Sequence, residues 1–153
     1  MRMYKMGNSE SYLLDSHTYT LRAADWSYVA DDKRAGFMAS FSRNQETYFT
    51  VDYETKDTVS LKLSNGKYLC SDDKSSGVMQ SKTLTAQCIF KVEYYEGRVA
   101  FRTQYNTVLI SRDGNIAHVG NGPDFIEETC LFTFSEVNYP LGNIGPLLDD
   151  ASI

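Results

Sequence analysis

The sequence predicts an all-β protein built from three similar units of about 40 residues each. Within a unit, apolar residues alternate with polar ones, which is the period of a β-strand and not of a helix. Tyrosine and phenylalanine are abundant, at 11 and 8 residues, whereas proline is scarce, at 3, as is typical of strand-rich proteins. Large residues recur every 40 positions in two series: Leu21, Leu61 and Phe101, and Tyr28, Tyr68 and Val108. This repetition indicates one supersecondary unit used three times.

The middle unit shows the strand pattern most clearly. In VSLKL, at 59–63, the valine and both leucines fall on one face, and the serine and lysine fall on the other. Asn65-Gly66 favours positive φ and predicts a tight hairpin turn into KYLCS. The polar loop SDDKSS leads to a third strand, GVMQS, and a longer loop leads to a closing strand around Phe90. The alignment also matches Gly36, Gly77 and Gly114 at the start of the third strand of each unit.

Three units of four short strands predict a β-trefoil, in which the strands close a barrel and no unit buries its apolar face alone. A propeller would need at least ~4 blades, and helical repeats of this length would show a period of 3.6. We expect one trefoil domain at residues 18–137, with units at roughly 18–57, 58–97 and 98–137. Residues 1–17 are assigned to an N-terminal lead-in and residues 138–153 to a C-terminal tail.

Charge and cysteine content narrow the partners and the compartment. The net charge is −5 and the cations are scattered, so nucleic acid and heparin-like partners are disfavoured. No run approaches the ~18 apolar residues of a membrane span, and no secretory signal is visible. The 3 cysteines argue against a closed disulfide framework and favour a cytoplasmic protein with structural thiols. Cys88 and Cys130 occupy equivalent positions in separate units and are not expected to bond to each other.

The sequence contains no motif for catalysis. It lacks His-Glu-x-x-His, Gly-x-Ser-x-Gly, a phosphate-binding loop and Cys/His metal spacing, which predicts a non-enzymatic protein without a cofactor. The Asp-Asp-Lys triplets at 31–33 and 72–74 lack the alternating oxygen ligands of a calcium loop. We expect them to lie in solvated loops.

Aromatic residues at two predicted turns are the first candidate binding residues. Asp25-Trp26 and Tyr105-Asn106 occupy the place of Asn65-Gly66 in the 40-residue register. A flat ring at a turn tip can grip a sugar or a protein partner. The alternative is that Trp26 and Tyr105 fold back onto the terminal segments and cover apolar surface.

Three cations are the second set of candidates. Arg22, Lys62 and Arg102 coincide in register on the predicted outward face of the first strand of each unit. Together they would form a basic ring for an acidic protein partner or an anionic headgroup. The alternative is that they only confer solubility and protect strand edges.

The repeat resembles that of fascin and hisactophilin. The likeness rests on VSLKLSNGKYLCSDD, on the GVMQS and CIFKV that follow, and on GRVAFRTQYNTVLISRDGNIA. It implies a non-enzymatic, actin-associated β-trefoil. Hisactophilin binds under pH control through many histidines, whereas this chain has 2, so a similar pH switch is not expected.

We therefore expect a cytoplasmic binding module that acts through surface loops, with F-actin as the partner. A lectin-like trefoil that uses the turn-tip aromatics for glycans is the alternative, although no glutamine begins a Gln-x-Trp motif. A leaderless cytokine-like or inhibitor trefoil is a third class, with residues 119–129 as its candidate loop. Residues 6–11, MGNSES, match an acylation signal only if translation starts at Met6 and exposes Gly7.

Overall fold

The computed structural model describes residues 3–5, 12–120 and 125–137. Within these ranges the chain forms strands and short 3₁₀ turns, and no α-helix, which confirms the predicted all-β class. The strands are β1 Met3–Lys5, β2 His17–Arg22, β3 Tyr28–Asp31, β4 Phe37–Ser40, β5 Phe49–Tyr53, β6 Thr58–Leu63, β7 Tyr68–Ser71, β8 Val78–Ser81, β9 Phe90–Tyr95, β10 Arg98–Arg102, β11 Thr107–Arg112, β12 Asn115–Gly120, β13 Phe125–Glu127 and β14 Thr133–Glu136. The 3₁₀ turns are Gln45–Thr47, Ala86–Cys88 and Glu128–Cys130.

Six strands close into a ring. Antiparallel pairing runs β14–β2–β5–β6–β9–β10. The ring is closed by Val99 and Phe132, whose backbones exchange two hydrogen bonds of 3.0 and 2.9 Å. Closure leaves no unpaired edge along this ring, which solves the edge-strand problem of an all-β protein. The apolar faces of these strands form the main core, with Phe49, Phe90 and Phe101 fully buried.

Three hairpins share one register and are bonded to one another. Tyr28 faces Ser40 in β3–β4, Tyr68 faces Ser81 in β7–β8, and Val108 faces Val119 in β11–β12. Three backbone hydrogen bonds link neighbouring hairpins. The Gln80 N–H donates to the Ala35 carbonyl at 3.0 Å, the His118 N–H to the Ser76 carbonyl at 2.8 Å, and the Ala39 N–H to the Gly114 carbonyl at 3.3 Å. The three hairpins therefore brace each other in a cycle.

The predicted glycine alignment is off by one residue in the third unit. Phe37, Val78 and Ile116 hold equivalent places in the hairpins, so Asn115 and not Gly114 matches Gly36. Gly114 instead forms a two-residue turn with Asp113, with φ values of 82° and 54°. A tight turn of this kind requires positive φ at both residues, so the glycine serves the turn and not the strand start.

Residues 12–16 close one end of the barrel, although the predicted domain begins at residue 18. Leu13 is only 2% exposed and packs into the main core. Its N–H donates to Tyr94 Oη at 2.9 Å, and its carbonyl accepts from Tyr53 Oη at 2.8 Å. The Leu14 N–H donates to Tyr19 Oη at 2.8 Å. Three tyrosine hydroxyls thus satisfy the backbone of a segment that has no strand partner there.

Cys70 and Cys88 form a disulfide, so the prediction that Cys88 is a structural thiol is wrong. Both residues are buried, Cys70 on β7 and Cys88 at the end of the second 3₁₀ turn. The same two places hold Ile110 and Cys130 in the third unit, where they pack in one apolar cluster. The bridge forms within one unit, across an 18-residue separation, and does not join two units.

Three of the predicted features fall in parts of the chain that the structure does not describe. Gly7, the C-terminal tail at 138–153 and residues 121–124 of the candidate inhibitor loop lie outside the described residues. No helix in the described part of the chain has the length and apolarity needed to cross a membrane.

Candidate functional site

Trp26 lies at a turn whose backbone conformation suits glycine or asparagine. Its φ is +75°, and the equivalent Gly66 and Asn106 have φ of +88° and +63°. In each of the three turns an N–H at the equivalent position donates back to the carbonyl three residues earlier, at 3.0, 2.9 and 3.1 Å. A side chain in this left-handed region costs roughly 1–2 kcal/mol, and asparagine tolerates it better than bulky residues do. Trp26 is therefore an unfavourable residue for its own backbone position.

The Trp26 ring is open to solvent on most of its surface. Its exposed fraction is 68%, so among the described residues no segment covers the ring. The Arg22 guanidinium carbon lies 4.9 Å from the Trp26 ring centroid and 5.1 Å from that of Tyr28. Arg22 Nη2 also donates to Tyr28 Oη at 2.9 Å. The arginine thus lies against two aromatic rings, an arrangement stabilised by cation–π attraction.

Phe41 adjoins this arrangement and was missed by the sequence analysis. Arg22 in β2, Tyr28 in β3 and Ser40 in β4 are opposite one another in the antiparallel pairing. Phe41 is the next residue after Ser40 in the chain. The Phe41 side chain is 74% exposed. The equivalent loop positions hold Lys82 and Gly120, and an apolar residue there was a signal in the sequence. We call Arg22, Trp26, Tyr28 and Phe41 the Trp26 surface, of which Tyr28 is the buried member at 9% exposed.

The three predicted cations do not form a basic ring. Lys62 Nζ lies 5.9 Å from the centroid of the Tyr68 ring, which is the same kind of contact that Arg22 makes with Tyr28. Arg102 is only 8% exposed, and its Nε and Nη2 donate to the two Glu93 carboxylate oxygens at 2.8 and 2.9 Å. The expectation of an outward-facing cation is therefore wrong for Arg102.

The physical reason for the burial of Arg102 is the residue opposite it. Its hairpin partner is Val108, which offers no ring, whereas the two other units have tyrosine. The Glu93 hydrogen bonds raise the pKa of Arg102 further above its ordinary value. Tyr95 Oη also donates to Glu93 at 2.9 Å, and burial is the main cause that raises the pKa of Tyr95 to about 12. This ion pair belongs to the interior and not to a binding face.

The Tyr105 side chain is less exposed than that of Trp26 because its ring stacks on a buried residue. Its ring stacks on that of His118 with 6.1 Å between centroids and 27° between planes, and its exposed fraction is 37%. His118 is itself buried, with Nε2 donating to the Asp72 carbonyl at 3.0 Å and Nδ1 bonded to Thr107 Oγ1 at 2.8 Å. Tyr105 therefore covers a structural histidine.

In the two acidic loops, aspartate side chains accept hydrogen bonds from the backbone of the same loop. Asp32 Oδ1 accepts from the N–H groups of Arg34 and Gly36, and Asp72 Oδ1 accepts from the N–H of Lys74. The hydrogen bond from the Lys74 N–H, together with one from Ser75 Oγ to Asp72 Oδ2, lowers the pKa of Asp72. Within the described ranges no cluster of three or more His, Cys, Asp or Glu side chains could hold a metal ion.

Comparison with known proteins supplies the family. A search of curated proteins found no match. A family model for the fascin domain matches residues 38–114, about half of the 153-residue chain. The matched region begins in β4 and ends at the β11–β12 turn, so it includes Phe41, the disulfide and the Arg102–Glu93 pair. With this match, the chain belongs to the fascin domain family.

Proposed function

We propose that this protein is a non-enzymatic β-trefoil module that binds actin filaments through its surface loops. The observation that carries the proposal is the fascin domain match at residues 38–114. The closed ring of six strands, together with three hairpins in one register, supports the trefoil assignment. Units at 18–57, 58–97 and 98–137, preceded by the Leu13 segment, are the corresponding domain division.

The buried ion pair of the third unit has a structural role and is no evidence for catalysis. Its buried charges, Glu93 and Arg102, are paired with each other at 2.8 Å. Catalytic acids and bases are usually found in clefts, where their pKa values are shifted for proton transfer. The pairing of Glu93 with Arg102 instead resembles a structural ion pair.

The proposal implies a cytoplasmic location, because that is where actin filaments are. Disulfides are rare in reducing compartments, and Cys70–Cys88 therefore needs a reason to persist there. Both cysteines are buried, which limits attack by small thiols to moments of local opening. Kinetic protection of this kind is compatible with the proposed compartment.

Co-sedimentation with filamentous actin at physiological salt tests the proposal. We expect saturable pelleting of the full chain with filaments at high speed and none without them. Low-speed pelleting would show, in addition, that one molecule or a dimer bridges two filaments. The absence of filament-dependent pelleting would overturn the proposal, and a change in fluorescence of the single Trp26 on titration with glycans would then favour the lectin-like alternative.

A further inference from the structure

We infer that the Trp26 surface, formed by Arg22, Trp26, Tyr28 and Phe41, is a docking site for an acidic, partly apolar face of a protein partner. The inference rests on the proposed function in taking that partner to be the actin filament. It assigns the contact to one face of the first unit. Tyr105 and the cation series are not part of it.

The fold gives no reason for a tryptophan at position 26. The same turn is formed with Gly66 in the second unit and with Asn106 in the third, through the same backbone hydrogen bonds. Both of those residues suit the left-handed conformation, and tryptophan does not. An unfavourable residue that also lacks a buried contact suggests a role outside the fold.

Exposed aromatic surface is concentrated in the first unit. Phe41 and Trp26, at 74% and 68%, are the most exposed large apolar residues in the described part of the chain. They flank the row in which Arg22, Tyr28 and Ser40 pair across three strands. Tryptophan, tyrosine and arginine are the residues most enriched where partner proteins bind tightly. The strand register of the first unit therefore brings these residue types close together, with Trp26 and Phe41 exposed and Tyr28 buried.

The charge near Trp26 specifies the chemistry of the partner. Among the described residues, Lys33 is paired with Glu46 and Arg112 with Glu127, but neither Arg22 nor Arg43 forms an ion pair with a carboxylate. Arg43 follows Phe41 by two residues and lies 5.6 Å from the Tyr48 ring centroid.

The acidic residue nearest to Trp26 in the chain is already engaged. Asp25 Oδ1 accepts from the N–H and the hydroxyl of Ser27, at 3.0 and 2.6 Å. Asp25 keeps its negative charge but bonds to Ser27 and not to Arg22, so Arg22 has no ion-paired carboxylate among the described residues, although the whole chain has a net charge of −5. Such a surface is complementary to carboxylates on a partner.

The experiment compares three variants of the full chain in actin co-sedimentation. Trp26→Gly copies the second unit and removes the ring without disturbing the turn, and Phe41→Ser removes the second exposed aromatic. Leu84→Ser is the matched control, because Leu84 is an exposed apolar loop residue of the second unit. We expect the apparent Kd to rise tenfold or more for the first two variants and to stay unchanged for the control.

Charge is tested separately with Arg22→Gln. We expect weaker binding than for the wild type and a smaller loss of affinity as salt is raised, because one charge contact has been removed. If the wild type pellets with filaments and Trp26→Gly and Phe41→Ser pellet equally well, the docking site is wrong and the proposed function stands. If the wild type does not pellet at all, the proposed function is wrong, and the docking site that depends on it is wrong as well.

Discussion

The first and third units use equivalent positions in opposite ways. In the first, Arg22 lies over Tyr28 beside an exposed Trp26, whereas in the third Arg102 is buried against Glu93 beside Asn106. The two units share a backbone register, so the difference lies in the side chains alone. It shows that one unit can contribute to stability while another, on the same framework, presents side chains to solvent.

The largest effect is expected from breaking the third unit's ion pair. Glu93→Ala leaves the Arg102 guanidinium buried without its carboxylate, which costs roughly 3–5 kcal/mol of unfolding free energy. Urea unfolding followed by circular dichroism measures the loss. Arg22→Ala is the matched change in the first unit, and we expect less than about 1 kcal/mol because Arg22 is half-buried and not ion-paired to a carboxylate among the described residues. Equal losses for the two variants would contradict the contrast between the units.

The second effect concerns the disulfide of the middle unit. The double variant Cys70→Ala with Cys88→Thr copies the residues of the first unit, Ala30 and Thr47, and removes the bridge. Closing a loop of this length stabilises by about 3 kcal/mol, so we expect a comparable drop in unfolding free energy without reductant.

The wild type provides the control for the disulfide. Unfolded in the presence of reductant, it should approach the stability of the double variant. Mild reductant applied to the native protein should leave the bond intact, because both cysteines are buried. A double variant as stable as the oxidised wild type would show that the bond contributes nothing.

The third effect tests the cost of the Trp26 side chain. Trp26→Gly removes the strain of positive φ but adds freedom to the unfolded chain, so stability should stay equal or rise by up to about 1 kcal/mol. Thermal unfolding of Trp26→Gly and of Trp26→Asn, which copies the third unit, provides the measurement. A clear loss of stability in both would mean that the ring supports the fold.

The smallest effect is a pH dependence at the same turn. Hydrogen bonds from Ser27, first from its hydroxyl and then from its N–H, lower the pKa of Asp25. A lowered folded-state pKa gives stability that is present above the ordinary carboxyl pKa and is lost as the pH falls through the folded value. Asp25→Asn copies Asn65, whose amide oxygen accepts from the Lys67 N–H in the same way. Unfolding from pH 6 down to pH 2 should therefore be less pH-dependent in Asp25→Asn than in the wild type.

The strand architecture was predictable because it depends on local signals. Alternation of apolar residues and the Asn65-Gly66 pair define strands and turns within a few residues of one another. The 40-residue spacing then places Trp26 and Asn106 at equivalent turns, and their φ values agree with this. The third unit's glycine failed as a marker because Gly114 serves a shorter turn.

The pairing of buried groups was not predictable in the same way. Arg102 meets Glu93 across two strands, and the register of the cations alone gave no sign of it. Val108 stands where the other two units have tyrosine, and this was a usable sign that Arg102 has no aromatic ring to lie against. The Cys70–Cys88 bond and the burial of Leu13 depend on how loops pack over strands, which periodicity does not encode.

The exposed site was partly predictable. Trp26 was found as a turn-tip aromatic, but its contact with Arg22 and its nearness to Phe41 follow from pairing across β2, β3 and β4. Tyr105 had the same sequence signal and proved to cover His118. In the 40-residue register Trp26 is equivalent to Asn106 and Tyr105 to Asp25, so the two rings leave the turn from different positions.

Co-sedimentation of the wild type and Trp26→Gly with actin filaments, side by side at physiological salt, tests the central claim most directly. We predict saturable pelleting of the wild type and a tenfold or greater loss of affinity in Trp26→Gly, with its fold retained. Equal pelleting of the two proteins, or none by the wild type, would contradict the account.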